Sequence, residues 1–205
     1  MSKDDVKRTA QITRKTGETT VSLQLDLDGS GKADISTGVA FFDHMLNLLA
    51  WHSGLDLTVN AEGDLNVDAH HTIEDVGIVL GQALSEAVGD KRGIERYGYF
   101  LLPMDETLVA AALDLSGRPY NVSDYVPVRD NLGEMPTDMV NHFFYSLACE
   151  ARMSLHFKFM NQGENEHHKV EAMFKAFGRA LRQAVSIDTT SDEEPGKIPS
   201  TKGTL

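Results

Sequence analysis

The residues best equipped for chemistry occur twice. His70-His71-Thr72-Ile73-Glu74 and His167-His168-Lys169-Val170-Glu171 share the pattern His-His-x-x-Glu, at an offset of 97 residues. Each copy is preceded by a further histidine, His44 by 26 residues and His142 by 25. On a helix, residues four apart share a face, so His70 with Glu74, and His167 with Glu171, can each grip one ion. The neighbouring His71 and His168 point roughly 100° away and must serve a different ion. The repeat then groups His70, Glu74, His142 and His168 around one divalent ion, and His167, Glu171, His44 and His71 around a second. Three imidazoles and one carboxylate per ion leave coordination positions open for substrate or water.

Nitrogen and oxygen ligands without sulfur favour manganese, iron, zinc or another first-row ion over magnesium or calcium. A zincin is excluded, because no His-Glu-x-x-His occurs. One His-His pair at a helix start would read as a cap or a solvated surface feature. Two copies with matched upstream histidines point to metal instead. His156, alone in an alternating strand, reads as structural, and His52 suits the negative end of a helix. The same ligands could also serve a di-metal hydrolase of a small phosphorylated metabolite, or a non-catalytic metal store.

The elements that must position these groups repeat as well. Glu18-Thr19 leads into an alternating run ending Leu25-Asp26-Leu27-Asp28-Gly29, and Glu106-Thr107 into one ending Leu113-Asp114-Leu115-Ser116-Gly117. Gly81 and Gly178, then Ala83-Leu84 and Ala180-Leu181, follow the histidine pairs at matched places. The second half carries about ten extra residues, placed in the Tyr125–Pro136 loop. Apolar periodicity predicts strands over Val21–Leu27, Leu55–Ala61, Leu108–Leu115, Tyr120–Val126 and Ser154–Met160. It predicts helices over Phe41–His52, Thr72–Val88, from Thr137, and from His167 to about Val185. The fold class expected is α+β: two pseudo-symmetric β-β-α-β-α halves, over 1–92 and 93–190, forming sheets packed against a helical layer, with sheets on one side and helices on the other. A tail over 191–205 follows.

The chain has 205 residues, 41% hydrophobic and 24% charged, with a formal net charge of −12. That balance argues against nucleic acid and an anionic membrane as partners. No run approaches a membrane span and Met1 to Thr20 is too polar for a signal peptide, so a cytoplasmic location is expected. Cys149 is the only cysteine, which excludes an intrachain disulfide and a thiolate metal cluster and reads as a small buried hydrophobe.

At these residues the sequence closely resembles the imidazoleglycerol-phosphate dehydratase family. The resemblance runs through Phe42-Asp43-His44-Met45-Leu46, Asp68-Ala69-His70-His71-Thr72-Ile73-Glu74-Asp75-Val76-Gly77 and Pro103-Met104-Asp105-Glu106. It continues through Asp114-Leu115-Ser116-Gly117-Arg118-Pro119 and Ile198-Pro199-Ser200-Thr201-Lys202-Gly203. It covers nearly the whole chain. It implies dehydration of imidazole glycerol phosphate to imidazole acetol phosphate in histidine biosynthesis, with two Mn²⁺ per active site that stabilise an imidazolate. It also implies a large homo-oligomer built from trimers, of about 24 chains, with each metal site shared between neighbouring subunits. Carried over residue by residue, His44, His70, His71, Glu74, His142, His167, His168 and Glu171 match the metal ligands. Glu18 matches a group beside the reacting carbons, and Arg96, Arg118, Lys175, Ser200 and Lys202 match the phosphate site. Leu48 stands where some relatives carry a glutamine near the phosphate, and a fused phosphatase domain is not expected in 205 residues.

The reaction removes a hydroxyl from the carbon beside the ring and a proton from the next carbon, which is not adjacent to a carbonyl. A general base is needed; Glu18 is the first candidate and Glu171 the second. Glu106, the counterpart of Glu18, is expected to be structural, and Asp105 to orient a ligand from behind.

Overall fold

A computed structural model describes residues 7–188 and 197–205. Residues 189–196 fall outside it, so of the expected tail only 197–205 is placed.

The first half runs β1 (Thr9–Lys15), β2 (Thr19–Asp26), β3 (Ala33–Ser36), α1 (Ala40–Ser53), β4 (Asp56–Gly63) and α2 (His70–Val88). The second runs β5 (Tyr97–Met104), β6 (Thr107–Asp114), β7 (Tyr120–Ser123), a small ribbon of β8 (Asn131–Leu132) and β9 (Met135–Pro136), α3 (Asp138–Glu150), β10 (Ser154–Asn161) and α4 (Glu166–Val185). The sheets have matching orders, β1-β2-β4-β3 and β5-β6-β10-β7. Three strands of the main sheet, not two, therefore precede the first helix of each half, with the β8–β9 ribbon added in the second. The strands overlooked are β1, β3 and β5. β1 turns only Ala10, Ile12 and the charged Arg14 inward, β3 has four residues, and β5 puts a glycine inward and tyrosines outward. The alternation in β1 and β3 is too short and that in β5 too irregular to stand out as a half-buried strand. The ribbon β8–β9 lies within the expected insertion.

Each sheet has one apolar face, and the helices cover it. α1 and α2 pack on the first sheet, α3 and α4 on the second, and the helices meet across the halves as α2–α3 and α1–α4 pairs. The helical layer thus lies between the two sheets rather than on one side of both. Both helix pairs and both inner sheet faces need apolar cover, and only this order provides it all. Phe143 and Phe174 stack at 5.3 Å in this shared core, with Phe42 edge-on to Phe143 at 5.2 Å.

Two repeat-matched glycines set the depth of the helix crossings. A side chain at Gly81 would stand 2.6 Å from the Leu147 carbonyl oxygen on α3, and one at Gly178 would stand 3.0 Å from that of Leu49 on α1. Backbone thus approaches backbone at both crossings, which brings the upstream histidine on α1 or α3 up to the motif on α4 or α2.

Candidate metal centre

Each motif begins a helix. The first four N–H groups of a helix lack intrahelical partners, and a side chain satisfies one of them at each motif: the Asp68 carboxylate accepts from His70 N at 2.8 Å, and the Asn165 side chain from His167 N at 3.0 Å. α1 is anchored by Asp43, which accepts from Thr37 N at 3.0 Å just before His44.

Two triads form. On α4 and α1, Glu171 Oε2 lies 2.9 Å from His167 Nε2 and 3.5 Å from His44 Nε2. On α2 and α3, Glu74 Oε1 lies 3.0 Å from His142 Nε2, and Glu74 Oε2 lies 3.9 Å from His70 Nε2. The ligand atoms of each triad lie within 4.8 Å of one another, about the spread that metal bonds near 2.1 Å require. His142 Nε2 is buried and, despite its closeness to Glu74, makes no aligned hydrogen bond. A buried ring nitrogen left without a partner is costly, and a cation at the triad's centre would satisfy it.

The four-residue sets expected within one chain are not formed. His71 faces Asp64 and Glu18, with Nδ1 at 3.1 Å from both Asp64 oxygens and Nε2 at 3.8 Å from Glu18 Oε2. His168 faces Glu106 and Asp105, with Nδ1 at 2.9 Å from Glu106 Oε2 and Nε2 at 3.7 Å from Asp105 Oδ2. The 100° step between neighbouring helical residues carries each second histidine away from its own chain's triads. Glu106 rather than Asp105 thus stands behind His168, the reverse of the sequence expectation. Hydrogen bonds from His168, then from backbone N–H groups including that of Asn165, hold the Glu106 carboxyl down to about 2. The hydrogen bond that His71 donates to Asp64, partly offset by burial, raises the His71 imidazole above its ordinary value.

The two candidate bases differ sharply. The Glu18 side chain is 58% exposed and, among the described residues, is placed against His71. Glu171 is 11% exposed and bonded by both Lys175 and His167. Burial pushes its carboxyl up, but the Lys175 and His167 bonds outweigh it, so Glu171 is held below the ordinary range.

The five phosphate candidates are not gathered in one place. Arg96 is nearly buried, has a left-handed backbone (φ 69°) and grips Asp114 through Nε (2.7 Å) and Nη2 (3.1 Å). Its Nη1 donates to the Pro199 carbonyl at 2.8 Å, which ties the tail with Ser200 and Lys202 to this end of the chain. Arg118 follows β6, and its Nη1 donates to Ser116 O at 3.4 Å. Lys175 stands apart on Glu171. Arg96 N bonds Ala184 O, nine residues further along α4, or roughly 14 Å along the axis. His156 is exposed and His52 half-buried, both outside the triads, as expected. Cys149 is half-buried rather than buried. The sequence reading missed Asp64, although a carboxylate just ahead of a paired-histidine helix was visible.

The imidazoleglycerol-phosphate dehydratase family model matches residues 37–181. An imidazoleglycerol-phosphate dehydratase from Acidiphilium cryptum is 56% identical over 200 residues, covering 98% of this chain and all of the relative. A histidine biosynthesis bifunctional protein from Stenotrophomonas maltophilia is 55% identical over 201 residues, which make up 98% of this chain and 54% of that protein. The crystal structure of imidazoleglycerol-phosphate dehydratase from Staphylococcus aureus superposes with a TM-score of 0.80 at 39% identity, covering 88% of this chain and 99% of that one. The paired motifs, the matched sheets and these likenesses agree: the chain belongs to the imidazoleglycerol-phosphate dehydratase family.

Proposed function

We propose that this chain dehydrates imidazole glycerol phosphate to imidazole acetol phosphate in histidine biosynthesis, using two manganese ions, in the cytoplasm and as a trimer-based homo-oligomer. The observation that carries the reading is the pair of His-His-Glu triads, each formed without the repeat's remaining histidine. His44, His167 and Glu171 would hold one ion, and His70, Glu74 and His142 the other. A neighbouring copy that presents its own His71 and His168 completes the ligand sets, which is why the sites call for an assembly. Bound there, manganese supplies a Lewis acid that eases loss of the substrate's ring N–H.

The chain's own groups do the rest. Glu18 has free lone pairs beside His71 and takes the carbon-bound proton. Glu171, clamped by Lys175 and His167, serves as a ligand. Arg96 uses three of its five N–H donors within the chain and keeps two for phosphate, beside Ser200, Lys202 and Arg118. Lys175 adds a point charge from the middle of α4.

The outer sheet faces support assembly. Across the first sheet the outward row is polar: Gln11, Gln24, Thr58 and Asp34. Across the second it carries Tyr99, Ala112, His156 and Val122, flanked by Leu101 and Met160. An exposed apolar patch of this kind marks an association surface. No helix among the described residues is long and apolar enough to cross a membrane.

Metal-stripped protein, assayed with and without manganese, should give manganese-dependent ketone without phosphate release, and Glu18→Gln should abolish it. Release of inorganic phosphate instead would overturn the reading in favour of a di-metal hydrolase.

A further inference from the structure

We infer that Asp64 and Glu106 are positioning residues, each fixing the ring of its half's second histidine from behind, and that Asp64 is what leaves Glu18 free. This rests on the reading of His71 and His168 as metal ligands.

The two halves reach this arrangement from different positions. Sheet register pairs Thr19 with Gly63 and Leu108 with Asn161. Continued by one step on β2 and two on β6, the same register sets Glu18 opposite Asp64 and Glu106 opposite Gly163. The first half therefore has two carboxylates at this place and the second has one. In the first, Asp64 takes Nδ1 of His71, and Glu18 remains on the Nε2 side. In the second, no side chain stands opposite, and Glu106 itself takes Nδ1 of His168.

Gly163 makes room for that. It has φ 65°, and a Cβ there would stand 2.5 Å from Glu106 Cγ. The second oxygen of Glu106 accepts from Asn165 N at 3.0 Å, so both its oxygens are engaged. Asp105, one residue earlier, stands where Glu18 stands in the other half, on the Nε2 side of its histidine. A carboxylate on Nδ1 fixes the tautomer and aims Nε2 outward for a metal, which is the usual support of an imidazole ligand. Glu18 and Glu106 thus share a sequence position but not a role.

The test is Mn²⁺ binding to the assembled, metal-stripped protein, followed by electron paramagnetic resonance of the free ion. Asp64→Asn and Glu106→Gln should each weaken Mn²⁺ binding by about 10- to 100-fold. Asp64→Ala should weaken it further, since asparagine keeps one oxygen to accept from Nδ1. Glu18→Gln should bind Mn²⁺ as wild type does while losing turnover. Circular dichroism checks that each variant is folded and gel filtration that it is assembled. Wild-type uptake with unchanged binding in Asp64→Ala would overturn this inference alone. Loss of binding in Glu18→Gln equal to that in Asp64→Asn would also overturn it. No uptake by wild-type protein would overturn the metal reading and this inference with it.

Discussion

The starts of α2 and α4 carry the same imidazoles and carboxylate, yet they are held by different means. At α4, Glu166 is fully buried, accepts from Val128 N at 2.7 Å and from the Tyr125 hydroxyl, and lies 3.6 Å from the buried Lys169 ammonium. At α2 the matched positions are Ala69 and Thr72, and the polar network has moved one turn on. There Asp75 accepts from Arg14 at 2.6 Å and from Thr19, where the second half has Ala172, Leu102 and Thr107. The insertion explains the difference. Only the second half has the 125–136 segment over its helix start, and Glu166 satisfies that segment's buried hydroxyl and N–H. Duplication preserved what faces the ions and left the supports free to diverge. Exchanging residues between matched positions therefore tests each support.

The largest effect is expected at Glu166. Glu166→Ala copies the first half but strands Lys169 in the core, and should cost about 3–5 kcal/mol in urea unfolding. Glu166→Ala with Lys169→Thr copies both positions and should recover part of that loss. Equal losses in the single and double variants would show that the Tyr125 and Val128 bonds, not the ammonium, set the cost.

Gly98 comes next. It is the counterpart of Ala10, yet a Cβ there would stand 1.9 Å from the Ala180 carbonyl oxygen. α4 therefore lies closer to β5 than α2 does to β1. Gly98→Ala should lower stability by roughly 3 kcal/mol, whereas Ala10→Gly should cost about 1 kcal/mol. Similar melting temperatures for the two variants would refute the difference in depth.

At Asp75 the exchange runs the other way. Asp75→Ala leaves Arg14 and Thr19 short of their acceptor and should cost about 2 kcal/mol. The double variant Arg14→Leu, Asp75→Ala restores the second half's apolar pairing and should be the more stable of the two. The reverse order would mean that Arg14 does more than pair with Asp75.

The same contrast explains what was legible in the sequence. The triads follow from helical spacing and the repeat, because His70 with Glu74 and His167 with Glu171 need only local geometry to meet. The upstream His44 and His142 were legible because the repeat carries them. The placement of His71 and His168 was not, since the 100° step says where they do not point but not what they face. Asp64 and Glu106 required strand register across β2–β4 and β6–β10, which a single sequence does not display. β5 stayed hidden for a related reason: its inward Gly98 answers to the α4 backbone, and its outward tyrosines lie on the face proposed for assembly.

The smallest effect concerns the turn after β2 and gives the comparison a pH dependence. Asp56 Oδ1 accepts from Ser30 N at 2.7 Å and Lys32 N at 2.9 Å. These bonds, the Ser30 one first, hold the Asp56 carboxyl below its ordinary value. Its register counterpart is Ser154, which does not titrate. A carboxyl lowered by folding contributes stability that is complete above its unfolded value, about 3.9, and is lost as pH falls through the lower folded value. The site is open to solvent, so Asp56→Ser should cost no more than about 1 kcal/mol at neutral pH. That difference from wild type should shrink as the pH is taken below about 3.9. A difference that stays constant to the acid limit would mean that the turn is held by the shape of the side chain rather than by its charge, and that the two halves do not differ here in kind.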